Sequence, residues 1–335
     1  MKIKNELIRV GVVGLGRSGW DIHVRVLQNH SRYQIVAVCD PLTDRLDEAE
    51  LKLGCVGYNE YGQFLKHVGL ELVVIASPTK EHAWMAEEAI KNNLHVVLEK
   101  PLATTIQEIE KMSLLIKESD LFLSPYYNFR FKKDFLLIQS LLQEGRIGTP
   151  YLIRRHVGYF NRRDDWQSKL NEAGGILNAA TIHHLDCVIQ LVGQLPSEIT
   201  CDLQRVVSKG DAPDHSKLFM RFPNRCVGDV EVSWVQALAG CQWLIYGPRG
   251  AIRQDGNTLT VKWFLEEETL SGEPENRSYL SGEQIQWMEQ TYQVEEGMGE
   301  EYYELLAGAL QRKNDPPVTL ESAIDTKRII ERLLE

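Results

Sequence analysis

The stretch GGILNAATIHHLD, residues 174–186, places two adjacent histidines and an aspartate at the start of an amphipathic helical pattern. Imidazole and carboxylate groups can bind a metal ion or transfer protons. On a helix, residues three and four apart share a face, so His183, Asp186 and Ala179 are expected to be neighbours, whereas His184 turns about 100° away. The two histidines are therefore not expected to act as one unit. A metal site would need further convergent ligands, and the spacing supplies none.

A second candidate site is the glycine turn GLGRSG, which sits between a strand-like run and a helical pattern. Glycines at such a turn permit a tight bend, let a pyrophosphate approach the backbone and let the helix pack against the strand. The amino terminus of the helix offers N–H groups to the phosphates. The turn predicts a dinucleotide site built from Gly14, Gly16, Gly19 and the intervening Arg17 and Ser18.

Asp40 ends the next strand-like run, where a carboxylate can accept hydrogen bonds from the adenosine ribose hydroxyls. It would repel a 2′-phosphate, so NAD is the favoured cofactor. Arg45 follows closely enough to keep NADP open, with a solvated helix residue as its alternative interpretation.

A third candidate is the tripeptide EKP, Glu99, Lys100 and Pro101, at the end of another strand-like run. Ligands of doubly wound sheets bind beyond the carboxyl ends of the strands, so Lys100 is placed to face a cofactor. A lysine that merely ends a strand is the alternative.

The elements that must position these residues divide the chain in two. Up to residue 125, apolar runs without alternation are separated by helical patterns, which is typical of a parallel sheet buried on both faces: IRVGVVGLG, QIVAVCD, ELVVIAS, HVVLEK and LFLSP. Later runs alternate with period two, which indicates an antiparallel sheet. We therefore predict an α/β protein with a doubly wound Rossmann domain at 1–125. An α+β domain at 126–335, with an open, mainly antiparallel sheet, is expected to bind substrate and mediate oligomerisation.

Composition narrows the class of partner. The formal net charge of −10 opposes binding that depends on neutralising many phosphates, so nucleic acid is not expected. No run approaches the ~18 apolar residues of a membrane span, and the amino terminus lacks the pattern of a signal peptide. The six scattered cysteines favour reduced, mostly buried thiols. A cytoplasmic protein is expected.

Six motifs in order carry a resemblance over essentially the whole chain: GVVGLGRSG, VAVCDP, ASPTKEH, HVVLEKPLA, YNFRF and GRIGTPYLIRRH. The sequence resembles the Gfo/Idh/MocA family of oxidoreductases, which includes glucose–fructose oxidoreductase and inositol dehydrogenases. The resemblance implies hydride transfer between a nicotinamide cofactor and a carbon bearing a hydroxyl on a sugar, polyol or derivative. It also implies a homodimer or homotetramer formed through the exposed face of the second sheet.

The resemblance assigns roles to individual residues. Lys100 would lie beside nicotinamide and substrate, and Glu99 precedes it. Asn128 of YNFRF would line the nicotinamide pocket. The loop after the third strand-like run would border the cofactor through Ser77, Pro78, Thr79 and His82, with a packed helix-start residue as the alternative for His82.

The stretch around His183 departs from the family pattern G-G-x-L-x-D-x-G-x-H-x-x-D. This chain has Ala179 in place of the aspartate and Thr181 in place of the second glycine. Two accounts remain open. In one, His183 and Lys100 are the catalytic residues and bind substrate, with Asp186 orienting the His183 ring. In the other, the chain is a sensor that binds a dinucleotide and a sugar-like ligand without turnover.

The preceding segment NRRDDWQSKLNEAGG resembles one branch of the family. There Trp166 could stack on a sugar ring and an arginine could hold an acidic group, which makes substrate-binding candidates of Arg162, Arg163, Asp165 and Trp166. A solvated loop rim is the alternative. Arg154 and Arg155 are consecutive on a strand, so at most one can reach a site on one sheet face.

Overall fold

A computed structural model describes residues 7–172, 174–265, 285–295, 297, 299–312 and 314–334. The described residues form two compact units. The first contains the chain up to Lys132 and the residues from Gly297 onward, and the second lies between them.

The sheet of the first unit is parallel throughout. Its strands lie in the order β3-β2-β1-β4-β5-β6, which is that of a doubly wound sheet with its topological switch between β1 and β4. The strands are β1 (Ile8–Val13), β2 (Tyr33–Cys39), β3 (Val56–Tyr58), β4 (Leu72–Ile75), β5 (His95–Leu98) and β6 (Leu123–Pro125).

Helices connect these strands, and local sequence explains several of their ends. A π-helical turn, Ser18–Val24, leads into the first helix, and the next ends at Gly54 in the left-handed conformation. Thr105 and Glu108 form a capping box at the start of the fifth. The helices are α1 (Arg25–Leu27), α2 (Thr43–Leu53), α3 (Tyr61–Phe64), α4 (Thr79–Lys91) and α5 (Ile106–Lys117).

The second unit combines a sheet with helices. Its first helix is α6 (Lys133–Gln143), and a π-helical turn, Leu177–Thr181, leads into α7 (Ile182–Val192). The strands are β7 (Leu152–Gly158), β8 (Glu198–Gln204), β9 (His215–Arg221), β10 (Val227–Ser233), β11 (Trp243–Gly247), β12 (Gly250–Asp255), β13 (Thr258–Trp263) and β14 (Met288–Gln293).

The strands of this sheet lie in the order β14-β13-β12-β11-β7-β10-β9-β8, and all neighbours are antiparallel except β7 and β10. Alternation along β7 separates the two faces. Ile153 and Arg155 are buried, whereas Arg154 is exposed and pairs with Asp229 on β10. One face is thus packed and the other is polar.

The last two helices, α8 (Glu300–Arg312) and α9 (Leu320–Leu334), return to the first unit. The buried Tyr302 hydroxyl donates to the Ser124 hydroxyl of β6 at 2.8 Å, and Ser124 in turn donates to the Val318 carbonyl. Sequence patterning expected one boundary after residue 125, with everything that follows in the second domain. The units instead divide after Lys132, and the final segment groups with the first unit because its apolar face packs there.

The predicted fold class is confirmed: a parallel Rossmann sheet is followed by a mainly antiparallel one. Within the part of the chain that the structure describes, no helix is both long and apolar enough to span a membrane.

Candidate active site

The glycine turn lies between β1 and the π-helical turn, and its first and last glycines admit no side chain. Gly14 has φ +83, and a Cβ there would lie 2.7 Å from the carbonyl oxygen of Ala76. A Cβ on Gly19 would lie 1.8 Å from the Gly14 carbonyl oxygen. The Gly14 N–H also donates to the Cys39 carbonyl at the end of β2. The turn is therefore held tightly against the carboxyl edge of the sheet.

Gly16 is different because its α-carbon faces open space. A Cβ there would meet only Nη1 of Arg45, at 4.0 Å. Arg17 is exposed and Ser18 half-buried at the start of the following helix, whose first N–H groups point towards the turn. A phosphate group could approach the backbone at Gly16 with N–H groups and arginines around it.

Asp40 is buried, and its carboxylate stabilises the glycine turn through hydrogen bonds. Its Oδ2 accepts hydrogen bonds from the Leu15 N–H at 2.7 Å and from Nη1 of Arg45 at 3.1 Å. Its Oδ1 accepts from the Leu42 N–H at 3.0 Å. The carboxylate keeps one further acceptor position on Oδ1, and Arg45, with 44% of its side chain exposed, can move aside. Asp40 can therefore accept a hydrogen bond from a ribose hydroxyl either on Oδ1 or, after Arg45 moves, on Oδ2.

The loop after β4 contributes a buried polar atom to the same edge. The Ser77 hydroxyl oxygen has no hydrogen-bond partner among the described residues. Pro78 is exposed, and the buried Thr79 begins α4. A ligand with a hydrogen-bonding group would satisfy Ser77.

His82 packs beneath this loop. Its Nε2 lies 2.9 Å from the Ser77 carbonyl oxygen, and its Nδ1 lies 2.7 Å from that of Pro101. Burial lowers the pKa of His82 despite these contacts, so the ring is neutral and one nitrogen donates at a time. Both nitrogens face backbone, which favours the packed interpretation: His82 joins the two loops that border the cofactor edge.

Lys100 stands at the end of β5, followed by a cis peptide bond to Pro101. Burial lowers the pKa of Lys100, the Glu99 charge opposes that shift, and the Arg17 charge adds to it. Lys100 thus lies within electrostatic reach of both a carboxylate and the glycine turn. An amine in such surroundings releases or takes up a proton at lower pH than an exposed lysine, as proton transfer at neutral pH requires.

Glu99 is buried with partners of its own. Its Oε2 accepts from the Lys100 N–H at 3.0 Å, and its Oε1 lies 3.1 Å from Nε2 of His23. His23 was not predicted from the sequence, and neither was its second neighbour, the Tyr303 hydroxyl at 2.6 Å from Nδ1. His23 follows Gly19 by one helical turn, and that spacing is the only sequence signal for it. Tyr303 lies too far along the chain to give any.

Asn128 is buried in a 3-10 turn, Asn128–Phe131, that follows β6. Arg130 fixes this turn by donating to the Ser322 hydroxyl at 3.0 Å and to the Ser322 carbonyl at 2.9 Å, near the start of α9. These two hydrogen bonds attach the turn to the start of α9.

In the second unit, His183 and Asp186 lie on α7, and both are buried. Ala179 belongs to the π-helical turn before α7, where the Ile182 N–H reaches back to the Leu177 carbonyl. The sequence pattern assumed a regular α-helix here, whereas the structure has a π-helical turn immediately before α7. The relation between His183 and Asp186 follows α-helical spacing. Single π-helical turns are frequent at functional sites.

His184 takes part in a different contact. Its Nδ1 accepts a hydrogen bond from Nε of Arg155 at 3.1 Å. The Arg155 guanidinium also donates to the Gln242 carbonyl and stacks over the Trp243 ring at 4.5 Å. Burial lowers the pKa of Arg155, and Asp134 opposes that change. His184 thus helps to hold the buried Arg155 in place within the second unit.

The four substrate-binding candidates that precede Gly174 and Gly175 are of two kinds. Arg163 and Asp165 form an ion pair, Asp165 accepts from the Gln167 N–H, and Arg163 stacks over Trp234 at 4.9 Å. These contacts hold the loop together. Arg162 is exposed, as is 53% of Trp166, and both can meet a ligand.

A second loop holds this segment from the other side. The Lys209 N–H donates to the Arg163 carbonyl at 3.1 Å, and the Leu170 N–H donates to Asp211 at 2.8 Å. Asp214 anchors that loop by accepting from the N–H groups of residues 206–208 at 2.7 to 2.9 Å. Burial would raise the pKa of Asp214, but these hydrogen bonds lower it below its usual value.

The first unit fits a dinucleotide on several independent grounds. Gly16 leaves open space, Ser77 carries an unsatisfied buried hydroxyl, and Asp40 keeps an acceptor position. Among the described residues, no three His, Cys, Asp or Glu side chains are grouped so as to hold a metal ion.

Residues 8–127 match the family described as "Oxidoreductase family, NAD-binding Rossmann fold", and residues 135–253 match the "GFO/IDH/MocA C-terminal domain". Together these matches extend over more than half of the chain.

Relatives of known activity are similar at moderate identity. The chain is 26% identical to the myo-inositol 2-dehydrogenase of Thermotoga maritima, over 78% of this chain and 79% of that protein. It is 27% identical to the scyllo-inositol 2-dehydrogenase (NADP(+)) IolW of Bacillus subtilis, over 65% of this chain and 61% of that protein. The WlbA dehydrogenase from Bordetella pertussis, in complex with NADH and UDP-GlcNAcA, shares the fold with a TM-score of 0.77 at 21% identity, covering 98% and 96% of the two chains.

Proposed function

Because this chain belongs to the GFO/IDH/MocA family of NAD-binding oxidoreductases, we propose that it moves a hydride between nicotinamide and a carbinol or carbonyl carbon of a sugar, polyol or derivative. The observation that carries the proposal is the half-buried Lys100, which follows β5 at the carboxyl edge of the parallel sheet, the edge at which the glycine turn follows β1. The inositol dehydrogenases among its relatives support the substrate class.

The first unit supplies the cofactor side. Gly16 and the following N–H groups receive the pyrophosphate, Asp40 receives a ribose hydroxyl, and Ser77 and Asn128 border the nicotinamide end. When bound, NAD supplies the ring that accepts or returns the hydride. Lys100 orients the carbinol oxygen and shares its proton at Nζ, which its lowered pKa favours.

The second unit supplies the other proton-transfer group. His183 takes the carbinol proton on a ring nitrogen, and Asp186, three residues later on the same helical face, orients the ring. Trp166 and Arg162 contact the substrate, one by stacking on a sugar ring and the other by holding an acidic group.

A second candidate function is a sensor that binds dinucleotide and sugar without turnover. Ala179 favours it, since alanine can neither hold a proton nor orient a hydroxyl where the family pattern has aspartate. NADH formation across a panel of sugars and polyols distinguishes the two functions, because the sensor would bind the cofactor and turn over none of them.

The test of the cofactor site is calorimetric titration with NADH and NADPH. Asp40→Ala would also remove the acceptor of the Leu15 N–H and disturb the turn. Asp40→Asn keeps the shape but replaces one of the two oxygens that accept the Leu15 and Leu42 N–H groups, so its NADH binding is compared beside its urea unfolding. Arg45→Ala should weaken NADPH selectively, because the cation is lost. Failure of the wild type to bind either dinucleotide would refute the proposal.

We further propose that the protein is a homodimer or homotetramer joined through the exposed face of the second sheet. That face carries Arg154, Lys217, Asp229 and Glu231 as interlocking ion pairs. Sedimentation of wild type and Lys217→Glu would test it.

No disulfide joins any of the six cysteines, all of which lie in the described ranges, and reduced thiols support a cytoplasmic location.

A further inference from the structure

Three buried side chains from distant parts of the first unit form a hydrogen-bonded row next to Lys100, here called the buried row: Tyr303, His23 and Glu99. His23 Nδ1 lies 2.6 Å from the Tyr303 hydroxyl, and His23 Nε2 lies 3.1 Å from Glu99 Oε1. Glu99 Oε2 accepts from the Lys100 N–H at 3.0 Å. His23 and Tyr303 are 0% exposed, and Glu99 is 6% exposed.

Separate elements bring these residues together. His23 lies in the π-helical turn after the glycine turn, Glu99 follows β5, and Tyr303 lies on α8. The ring of Tyr126 lies 4.3 Å from that of His23, and Tyr33 donates to the Tyr303 carbonyl at 2.8 Å. Aromatic surroundings of this kind exclude water and strengthen each charge interaction.

The protons in the buried row can be assigned by chemistry. Burial would raise the pKa of Glu99, but the His23 hydrogen bond, the His23 charge and Lys100 lower it, so the carboxylate is ionised. An ionised carboxylate only accepts, so His23 Nε2 carries the hydrogen. Burial raises the pKa of Tyr303 well above its usual value, so its hydroxyl keeps its proton and can donate to His23 Nδ1.

We propose that His23 is a positioning residue for Lys100: by donating to Glu99 it keeps that carboxylate ionised and fixed beside the lysine, and Tyr303 holds the ring that does so. The inference rests on the proposed function only in naming Lys100 as the proton-sharing amine. His23 acts through Glu99, whose two oxygens contact His23 Nε2 and the Lys100 N–H.

The charges around Lys100 give the direction of the effect. Glu99 is the negative group that acts on Lys100, whereas Arg17 and, when protonated, His82 oppose the ammonium form. Around Glu99 lie His23, Lys100, His82 and the three neutral hydroxyls of Tyr126, Tyr302 and Tyr303. Loss of the His23 donor would let the buried carboxylate take up a proton, which would remove the negative charge of Glu99 that raises the pKa of Lys100.

Two amide variants separate the two bonds of His23. The side-chain nitrogen of Gln can occupy the place of Nε2, so His23→Gln keeps the donor to Glu99. Asn reaches only the place of Nδ1, so His23→Asn keeps the contact to Tyr303 and loses the one to Glu99. Both variants put a neutral amide in the same buried space, so they should lower the free energy of unfolding by similar amounts. Tyr33→Phe is the control for Tyr303→Phe, because it removes a hydrogen bond to the Tyr303 backbone and leaves the three side chains of the buried row unchanged.

The readout is the pH dependence of Lys100 acetylation by trace acetic anhydride, followed by mass spectrometry on the folded protein. We expect the pKa of Lys100 to fall by about one pH unit or more in His23→Asn and Glu99→Gln, since an opposite charge at this range shifts a pKa by ~1–3. His23→Gln and Tyr33→Phe should titrate like wild type, and Tyr303→Phe should fall between. Equal Lys100 titration in His23→Asn and His23→Gln would overturn the inference.

Labelling needs neither substrate nor turnover, which keeps the two proposals separable. A Lys100 pKa that depends on His23, in a protein that oxidises no sugar or polyol, would uphold the buried row and refute the proposed reaction. Turnover with a Lys100 titration that ignores His23 would do the reverse.

Discussion

Each unit has a π-helical turn beside its candidate residues, and the two turns differ in the side chains that they carry. The candidate residues of the first unit are here called the cofactor half, and those of the second unit the substrate half. In the first unit, Ser18–Val24 begins beside Gly14 and Gly19, which have no room for a side chain, and carries His23 to a buried carboxylate. In the second unit, Leu177–Thr181 carries Ala179, which has no polar side chain. The proposed cofactor half thus depends on backbone geometry, whereas the proposed substrate half depends on side-chain chemistry.

The largest effect is expected from removing Lys100, the proposed proton-sharing residue of the first unit. Lys100→Ala should lower kcat about 10²- to 10⁴-fold, since it deletes a proton-sharing group from the carbinol oxygen. NADH should still bind, because the glycine turn and Asp40 are intact. The measurement is steady-state turnover beside calorimetry, with the exposed Lys111 as matched control in Lys111→Ala. Activity in Lys100→Ala equal to that of the control would contradict the role.

A second prediction uses two glycines of the same turn. Gly16→Ala adds a Cβ to open space, so the free energy of unfolding should hold while NADH affinity falls at least about tenfold, because the methyl group occupies the phosphate approach. Gly19→Ala places the Cβ against the Gly14 carbonyl and should cost about 1–3 kcal/mol of stability. Calorimetry and urea unfolding measure the two quantities. If Gly16→Ala bound NADH like wild type, the phosphates must lie elsewhere.

A third prediction concerns the loop that holds the substrate half. Asp214→Asn should cost about 2 kcal/mol at pH 7, because a neutral amide replaces a carboxylate that accepts three backbone N–H groups. The pKa of Asp214 is lowered on folding, so this stability is present above the unfolded value of ~3.9 and is lost as pH falls through the folded pKa.

Urea unfolding at pH 7, 5 and 3 checks the sign for Asp214. The difference between wild type and Asp214→Asn should persist at pH 5 and narrow at pH 3. Asp202→Asn is a suitable control, since the exposed Asp202 carboxylate accepts a hydrogen bond from the exposed Gln204 side chain and does not anchor the loop. A gap that widened in acid would show that Asp214 is not held as a carboxylate.

Sequence patterning predicted the parallel sheet well because its strands are buried on both faces and read as continuous apolar runs. It missed β3, β12 and β14 for identifiable reasons. Val56–Tyr58 is only three residues long, Gly250–Asp255 begins with a glycine and carries charge, and Met288–Gln293 is mostly polar and exposed. Edge strands and short strands of this kind have too little apolar alternation to be recognised.

The site shows a similar division. The positions of the glycine turn, Asp40 and Lys100 at the carboxyl edge of the parallel sheet could be predicted, because each follows a continuous apolar run. Tyr303 and Asp214 could not, because a pairing between residues far apart in sequence leaves no local pattern. The π-helical turns escaped as well, since apolar spacing does not distinguish a single wide turn from an α-helix.

The smallest expected effect concerns Thr181, one of the two positions at which the substrate half departs from the family pattern. Thr181 stands where the family pattern has glycine, and its backbone is ordinary right-handed helix, with φ −59, so no glycine is required. Its hydroxyl lies 2.7 Å from that of Ser216, which also donates to the Val232 carbonyl. Thr181→Ala should therefore cost about 1 kcal/mol.

Ser216→Ala removes the same hydrogen bond from the other side, so the two substitutions should cost less together than the sum of their separate effects. Urea unfolding of both single variants and the double variant measures that coupling. Coupling would show that Thr181 is built into the packing of the substrate half, so that the loss of the family's glycine and aspartate is accompanied by a compensating contact. Strictly additive costs would show instead that Thr181 is an unlinked substitution.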